Sequence, residues 1–308
     1  MDSISTTSLY NSVLTNLLTA QTNQITASDQ VSSQKVATDL QGYGASAGTL
    51  TAMQSVQSQV SGLLDQSSVT SDRLSSQETA LGEVASAATS ASQAISTAIS
   101  SGNAASLMQS LQTAFSNAVA GLNTTYNGEY LFSGGNSNTQ PVTASSFSDL
   151  TSGSPISSLF QNGQFVTSTQ INTHTTIQTG FLANQVGTPL FNALQAIATY
   201  NQTSPLTGTL TASQASFLES QVSSLQSVNS GLTSVQAQNG QMQSDVTNAQ
   251  TDLTDQQTSL NTMIGNISDA NMAQASVNLQ QAQLAVQASA QVLEALKSSS
   301  LVNLLPTS

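Results

Sequence analysis

The chain has 308 residues and a formal charge of −12, from fifteen acidic side chains against three basic ones, and it contains no cysteine. Lys35, Arg73 and Lys297 form no cluster that could neutralise a phosphate backbone or an anionic lipid surface, so nucleic-acid and membrane-surface binding are excluded as readings. Without thiols there is neither a disulfide framework nor a thiolate metal site, and with only 6% charged residues the chain depends on Ser, Thr, Gln and Asn for its polarity.

The start, Met1-Asp2-Ser3-Ile4-Ser5, lacks the basic region and apolar stretch of a cleaved signal peptide, and no apolar run is long enough to span a bilayer. Leu9, Val13, Leu14, Leu17, Leu18, Ile25 and Val31 then predict a first amphipathic helix. Gly42, Gly44 and Gly48 separate it from a second helical block. In that block Leu50, Met53, Val60, Leu64, Leu74, Leu81, Ala85, Ala88, Ile95 and Ile99 share one register of three- and four-residue steps. A locally better set is Leu81, Val84, Ala88, Ala91, Ile95 and Ala98, whose alanines allow close helix approach. Ser101-Gly102-Asn103 ends this stretch, and Leu107, Leu111, Phe115, Ala118 and Leu122 resume the pattern as a further helix.

Proline divides the chain. None occurs before Pro141; Pro141, Pro155, Pro189 and Pro205 fall in the middle, and Pro306 lies near the end. Since proline breaks helix interiors, two helical arms flank a different kind of segment at 141–205. There Gln164 to Thr167 and Thr175 to Gln178 read as short strands, and the stretch Phe181 to Ala198 is expected to add a short helix after Pro189. Phe147, Phe160, Phe165, Phe181 and Phe191 are enough for a small separate core.

The strongest periodic signal lies in the second arm. Leu225, Val228, Leu232, Val235, Asn239, Met242, Val246, Ala249, Leu253, Gln256, Leu260, Met263 and Ile267 alternate three- and four-residue steps without interruption. That average of 3.5 residues holds one face of a helix against a neighbour, and the segment would be a rod of roughly 64 Å. Asn239 and Gln256 are its polar positions; they either fix register or sit hydrated at an edge. At Asn266-Ile267-Ser268-Asp269 the phase breaks, and a new register runs through Met272, Ala275, Leu279, Ala282, Val286, Ser289, Leu293 and Leu296. The fold class expected is mainly α: a long antiparallel helical bundle or coiled coil formed by paired N- and C-terminal arms, with a small β-containing insertion.

Chemistry is sparse. Gly42-Tyr43-Gly44 superficially matches a dinucleotide loop but follows a helical pattern instead of a strand, so it reads as a joint. His174 is the single histidine and lacks the partners of a triad or metal site, and Asp245, Asp252 and Asp255 form no calcium loop. No catalytic residue, cofactor or metal is assigned, and a structural or assembly protein is favoured over an enzyme.

Two stretches resemble a known family. Asn127-Gly128-Glu129-Tyr130-Leu131-Phe132-Ser133-Gly134-Gly135, followed by Pro141, resembles the NG-x-YLF-[SA]-G segment of hook–filament junction proteins of the bacterial flagellum. Residues Asp269-Ala270-Asn271-Met272-Ala273 through Leu301-Val302-Asn303-Leu304-Leu305 resemble the C-terminus of the flagellin superfamily. The block Lys35 to Gly44 departs from that family's common double-aspartate loop.

The resemblance implies an N-terminal assembly helix at 1–40 paired with 268–308. It further implies an inner helical bundle at 41–140 paired with the long helix of 206–267, and an outward-facing insertion at 141–205. Tyr130, Leu131 and Phe132 would lie in a hairpin leaving the first helical pair. Leu225, Leu232, Val235, Met242, Val246, Leu253 and Leu260 would form the bundle seam. Leu9, Val13, Leu17, Leu284, Leu293 and Leu304 would be exposed or disordered in the monomer and buried between subunits. The implied partners are copies of the chain, the neighbouring hook-junction protein and flagellin of the flagellar axis, and a flagellar export chaperone. The implied location is outside the cell, reached by type III export without a cleaved signal. A junction protein is the first reading, the flagellin of the filament itself the second, and a type III secreted tip or translocator component the third.

Overall fold

The computed structural model of the chain describes residues 2–302, with side chains described from Ser8 to Ser298. Its elements in order are α1 (Asp2–Ser33), a 3-10 turn (Gln41–Ser46), α2 (Ala47–Ser101), α3 (Leu107–Leu122), β1 (Thr125–Tyr126) and β2 (Glu129–Tyr130). Two further 3-10 turns (Phe147–Thr151, Ile156–Leu159), β3 (Ser168–Gln170), β4 (Thr176–Gln178), α4 (Ala183–Thr203), α5 (Ala212–Ser268) and α6 (Met272–Val302) complete it. The helical arms and small β content are those of the expected fold class. The chain divides into two compact units, residues 1–61 with 255–308, and residues 62–254. Both boundaries fall inside the long helices α2 and α5, while the joints at 34–46 and 269–271 lie within the first unit.

In the second unit α2 and α5 run antiparallel, so residue numbers rise on one as they fall on the other. Leu74 O accepts from Asn239 Nδ2 at 3.0 Å, Glu78 from Gln236 Nε2 at 3.3 Å, and Thr89 Oγ1 donates to Asn229 Oδ1 at 3.4 Å. The alanine-rich set Leu81, Val84, Ala88, Ala91, Ile95 and Ala98 is buried. Helix α2 ends because Gly102 takes φ 63°: Asn103 N–H reaches Ala98 O at 3.0 Å and Gly102 N–H reaches Ile99 O at 3.1 Å, the two bonds of a Schellman cap. Helix α3 packs into the same core through Leu107, Leu111, Phe115 and Leu122.

The structure corrects three expectations for the middle segment. Its phenylalanines form no separate core: Phe147, Phe160, Phe181 and Phe191 join the core of α2, α3 and α5, while Phe165 is 80% exposed. The first strand is β3 at Ser168–Gln170, downstream of 164–167, because Thr169 pairs with Ile177 and turns Ile171 onto Leu74 and Val246. Helix α4 begins at Ala183, ahead of Pro189, so that Ala183, Val186 and Leu190 are buried together. Gly187 lets α4 come close, since a Cβ there would stand 2.6 Å from Leu122 Cδ1.

The Asn127-Gly128 turn has φ of 51° and 83°, the two positive values of a type I′ hairpin turn. Tyr130 pairs with Thr125 in that hairpin and Leu131 N–H extends it to Thr124 O at 3.0 Å, whereas Phe132 lies beyond it; Leu131 and Phe132 are both buried in the core. Asn123, just past α3, fixes the returning chain, donating to Val142 O and accepting from Val142 N–H, both at 2.9 Å.

On the long seam Leu225, Val228, Leu232, Val246, Ala249, Leu253 and Leu260 are buried, and Val235 and Met242 half-buried. Beyond Leu253 the buried face moves from Gln256, which is exposed, to Gln257, and from Met263 to Ile264. A straight helix with 3.6 residues per turn drifts about 20° per heptad against a 3.5 repeat, and an extra four-residue step absorbs the drift. Of the two polar positions, only Asn239 is buried; its Nδ2 bridges Leu74 O and, at 2.8 Å, a Glu78 carboxylate oxygen. Asn239→Ala takes the Nδ2 donor from the Glu78 carboxylate, while Leu74 O keeps the donor of Gln243 Nε2 at 3.3 Å. The unpartnered, buried Asn239 Oδ1 is removed as well, so a loss of about 1 kcal/mol is expected in the urea dependence of hydrogen exchange within α2 and α5. Gln256→Ala is the matched control, with a shift within about 0.5 kcal/mol.

Candidate assembly surface

The first unit is built on the pairing of α1 with α6. Val13, Ala20 and Ala27 are buried on α1 and Ala275 and Ala282 on α6, each step being seven residues. Leu17, Gln24 and Val31 fill the intervening positions of α1, and Leu279, Val286, Ser289, Leu293 and Leu296 those of α6, all half-buried. Short side chains at heptad spacing bring two helices close along a narrow line. Beside it runs a groove lined by uncharged groups, among them Asn16, Asn23, Gln30, Asn278 and Gln281.

Larger aliphatic side chains point away from this line. Leu9 is 51% exposed, Ile25 62% and Leu284 65%, and Tyr10, Leu14, Leu18, Val277 and Val292 are exposed as well. The expectation that every nominated arm residue is free in the monomer is therefore corrected. Leu9 and Leu284 are exposed, but Val13 is buried, and Leu17 and Leu293 half-buried, in the chain's own α1–α6 line. Leu304 lies outside the described residues. Sequence reasoning missed Leu14, Leu18, Ile25, Val277 and Val292; the seven-residue recurrence of small residues identifies the pairing face and, by elimination, the outward one.

This surface is nearly free of charge. Its helices hold Asp2, Asp29 and Glu294 of the fifteen acidic residues and Lys297 of the three basic ones, so the negative charge is concentrated in residues 34–271. Burying it against a similar face desolvates few ions. Each aliphatic side chain fully buried contributes about 1.5–3 kcal/mol. Together the exposed ones supply on the order of 10 kcal/mol, comparable with the roughly 4–15 kcal/mol that association costs. Only contact along most of the length, with more than one neighbour, leaves a clear surplus.

One end of the pair is fastened. Val36 N–H donates to Ser268 O at 2.8 Å and Ala270 N–H to Gln34 O at 2.9 Å, a short antiparallel bridge between the α1–α2 connection and the α5–α6 joint. Across it Lys35 Nζ meets Asp269 Oδ1 at 2.6 Å, the ion pair among the described residues, and donates to Ser268 Oγ at 3.2 Å. In the adjoining loop Tyr43 Oη donates to Ala37 O at 2.8 Å, and Gly42 N–H to Asp39 Oδ1 at 2.9 Å. The loop resembling a dinucleotide site is a 3-10 turn entering α2 and follows α1, not a strand.

The Lys35 hydrogen bond, then that from Ser268, hold the Asp269 carboxyl below its ordinary value of 3.8, with burial opposing weakly. A depressed folded value means that the contribution is complete above pH 3.8 and fades as pH falls through the lower folded value. The expected result is that Asp269→Asn removes the acid-dependent part of the first unit's stability and leaves the neutral-pH fold intact, as read by hydrogen exchange at residues 34–36. Both partners are exposed, so the effect is modest.

Elsewhere the chain offers little chemistry. His174 is exposed in the β3–β4 turn, where Thr173 Oγ1 lies 2.7 Å from its Nδ1. Asp252 and Asp255 are exposed and Asp245 half-buried, and no metal-holding cluster of His, Asp or Glu occurs among the described residues. No described helix is long and apolar enough to cross a membrane.

Comparison with known proteins bears on this surface. Residues 4–137 match the bacterial flagellin N-terminal helical region, and residues 222–305 the bacterial flagellin C-terminal helical region. No curated protein matches the sequence. Among solved structures, a putative flagellar hook-associated protein from Vibrio parahaemolyticus is similar with a TM-score of 0.59 at 13% identity, over 75% of this chain and 99% of that one. Bacillus cereus FlgL is similar with a TM-score of 0.55 at 16% identity, over 70% of this chain and 99% of that one. At these identities the likeness is one of fold.

Proposed function

The chain belongs to the bacterial flagellin family, and from that premise we propose that it polymerises through α1 and α6 as the protein joining the flagellar hook to the filament. Family membership makes it a structural protein of the flagellum, outside the cell, in contact with copies of itself and neighbouring axial proteins. The observation that carries the mode of assembly is the two-sided character of the α1–α6 pair. Small residues close it on itself, and uncharged, aliphatic faces including Leu9, Leu14, Leu18, Ile25, Val277 and Leu284 are left for neighbours.

Two observations support the junction over the filament. The Asn127 to Gly135 segment resembles that of junction proteins, and two solved structures of similar fold carry hook-associated or FlgL titles. The second reading, a flagellin of the filament itself, is favoured by the family regions that match both arms. Either reading entails type III export of an unfolded chain with an export chaperone as partner. Immunogold electron microscopy of intact flagella with antibody against residues 141–205 separates them. A narrow band at the hook end is expected; label along the whole filament makes the chain a flagellin, and no flagellar label favours a secreted tip component.

A further inference from the structure

We propose that Asn127 is a site of self-modification, at which the β1–β2 turn converts by deamidation to an aspartyl or isoaspartyl form. The chain has three Asn-Gly pairs, at Asn127, Asn162 and Asn239, and the structure treats them very differently. In such a pair the backbone nitrogen of glycine, unhindered by a Cβ, attacks the asparagine side-chain carbonyl. At Asn127 the Gly128 N–Asn127 Cγ bond forms and the Cγ–Nδ2 bond breaks. The Gly128 amide proton is lost, the amide leaves as ammonia, and a cyclic imide remains. Water then opens either imide carbonyl, giving aspartate or, with the main chain rerouted through Cγ, isoaspartate. No oxidant or cofactor is needed.

Asn239 cannot follow this route in the folded chain. It is fully buried inside the 57-residue α5, with Nδ2 bound to Leu74 O and Glu78. Asn162 is held at both reacting ends. Its Nδ2 donates to Asn184 Oδ1 at 3.1 Å and its Oδ1 accepts from Asn184 N–H at 3.1 Å, while the attacking Gly163 N–H is engaged by Ser133 O at 2.7 Å. Asn127 is exposed, and neither its side chain nor Gly128 N–H takes part in a hydrogen bond among the described residues.

The turn geometry, with Asn127 at φ 51°, must open before attack, but it closes a short ladder, the pairs Thr125–Tyr130 and Tyr126–Glu129 with one further bond from Leu131 N–H to Thr124 O at 3.0 Å. A hairpin of this size opens far more easily than the middle of a long helix or a hydrogen-bonded core loop. The isoaspartyl product adds one atom to the main chain of a two-residue turn. It therefore breaks the register that leads Tyr130 into Leu131 and Phe132, and either product adds one negative charge.

The test is incubation of the purified full-length chain in mildly alkaline buffer, digestion with a glutamate-specific protease and mass spectrometry of the fragments, beside a sample kept in urea. In urea the three pairs are expected to react at similar rates. In the folded chain Asn127 is expected to react at least about tenfold faster than either other pair, the ratio given by an opening cheaper by about 1.4 kcal/mol. Asn127→Gln should abolish the fast component. Equal rates at Asn162 or Asn239 in the folded chain, or an Asn127 that reacts in urea and not at all when folded, overturns the proposal.

Discussion

A chain lacking residues 272–308 fails to enter flagella, yet its second unit stays folded. This truncation has the largest expected effect on function because it removes α6 whole. Val13, Ala20 and Ala27, buried in the full chain, lose their cover, and the exposed aliphatics Val277, Leu284 and Val292 are lost with the helix. The second unit, residues 62–254, keeps every one of its own core residues. Electron microscopy of flagella and hydrogen exchange on the isolated protein check the two halves of the expectation. Normal incorporation by the truncated chain refutes assembly through α6. Collapse of protection in α3 and α4 refutes the independence of the second unit.

The largest effect on stability is expected at Phe191. Its ring is fully buried, stands 5.0 Å from Phe115 and stacks on Phe160 at 5.3 Å, so it ties α4 to α3 and to the loop before β3. Phe191→Ala removes that ring from a close-packed site, and a loss of about 3–5 kcal/mol is expected. Since the chain has two units, one unfolding curve does not isolate the effect. Urea dependence of hydrogen exchange within α3 and α4 reads it directly, with residues of α1 as the internal reference. A change below about 1 kcal/mol would mean that the site closes up around the missing ring.

The helical arms were legible in the sequence because each is a long amphipathic pattern free of proline, and because Gly102 and Asp269 mark where helices stop. The seam from Leu225 to Ala249 was legible for the same reason. Its continuation was not, since a repeat of 3.5 and a straight helix of 3.6 part company over a few heptads, and Gln256 and Gln257 offer no contrast in polarity. On α2 the buried face between Val60 and Leu74 includes Ser67 and Thr70 while Val56 and Val69 are exposed, which no hydrophobic pattern predicts. The pairing of Lys35 with Asp269 joins residues far apart in the chain and leaves no local trace. The pairing face of α1 and α6 was half legible. Large aliphatics were the natural candidates, but on these two helices alanine marks the contact within the chain, and bulk marks what is left outside.

A line of alanines repeating every seven residues fixes how near two helices lie, but it says little about which repeat faces which. Sliding α1 along α6 by one heptad would again set small residues together at Ala20 or Ala27, so the alanines alone fix the register weakly. The bridge at Gln34 to Val36 and Ser268 to Ala270 cannot be satisfied in a slipped arrangement, because its hydrogen bonds and its ion pair each have a single partner. Position along the pair is therefore written at one end only. The two helices work like a zip with a fixed stop at Lys35 and Asp269, beyond which the alanine teeth repeat.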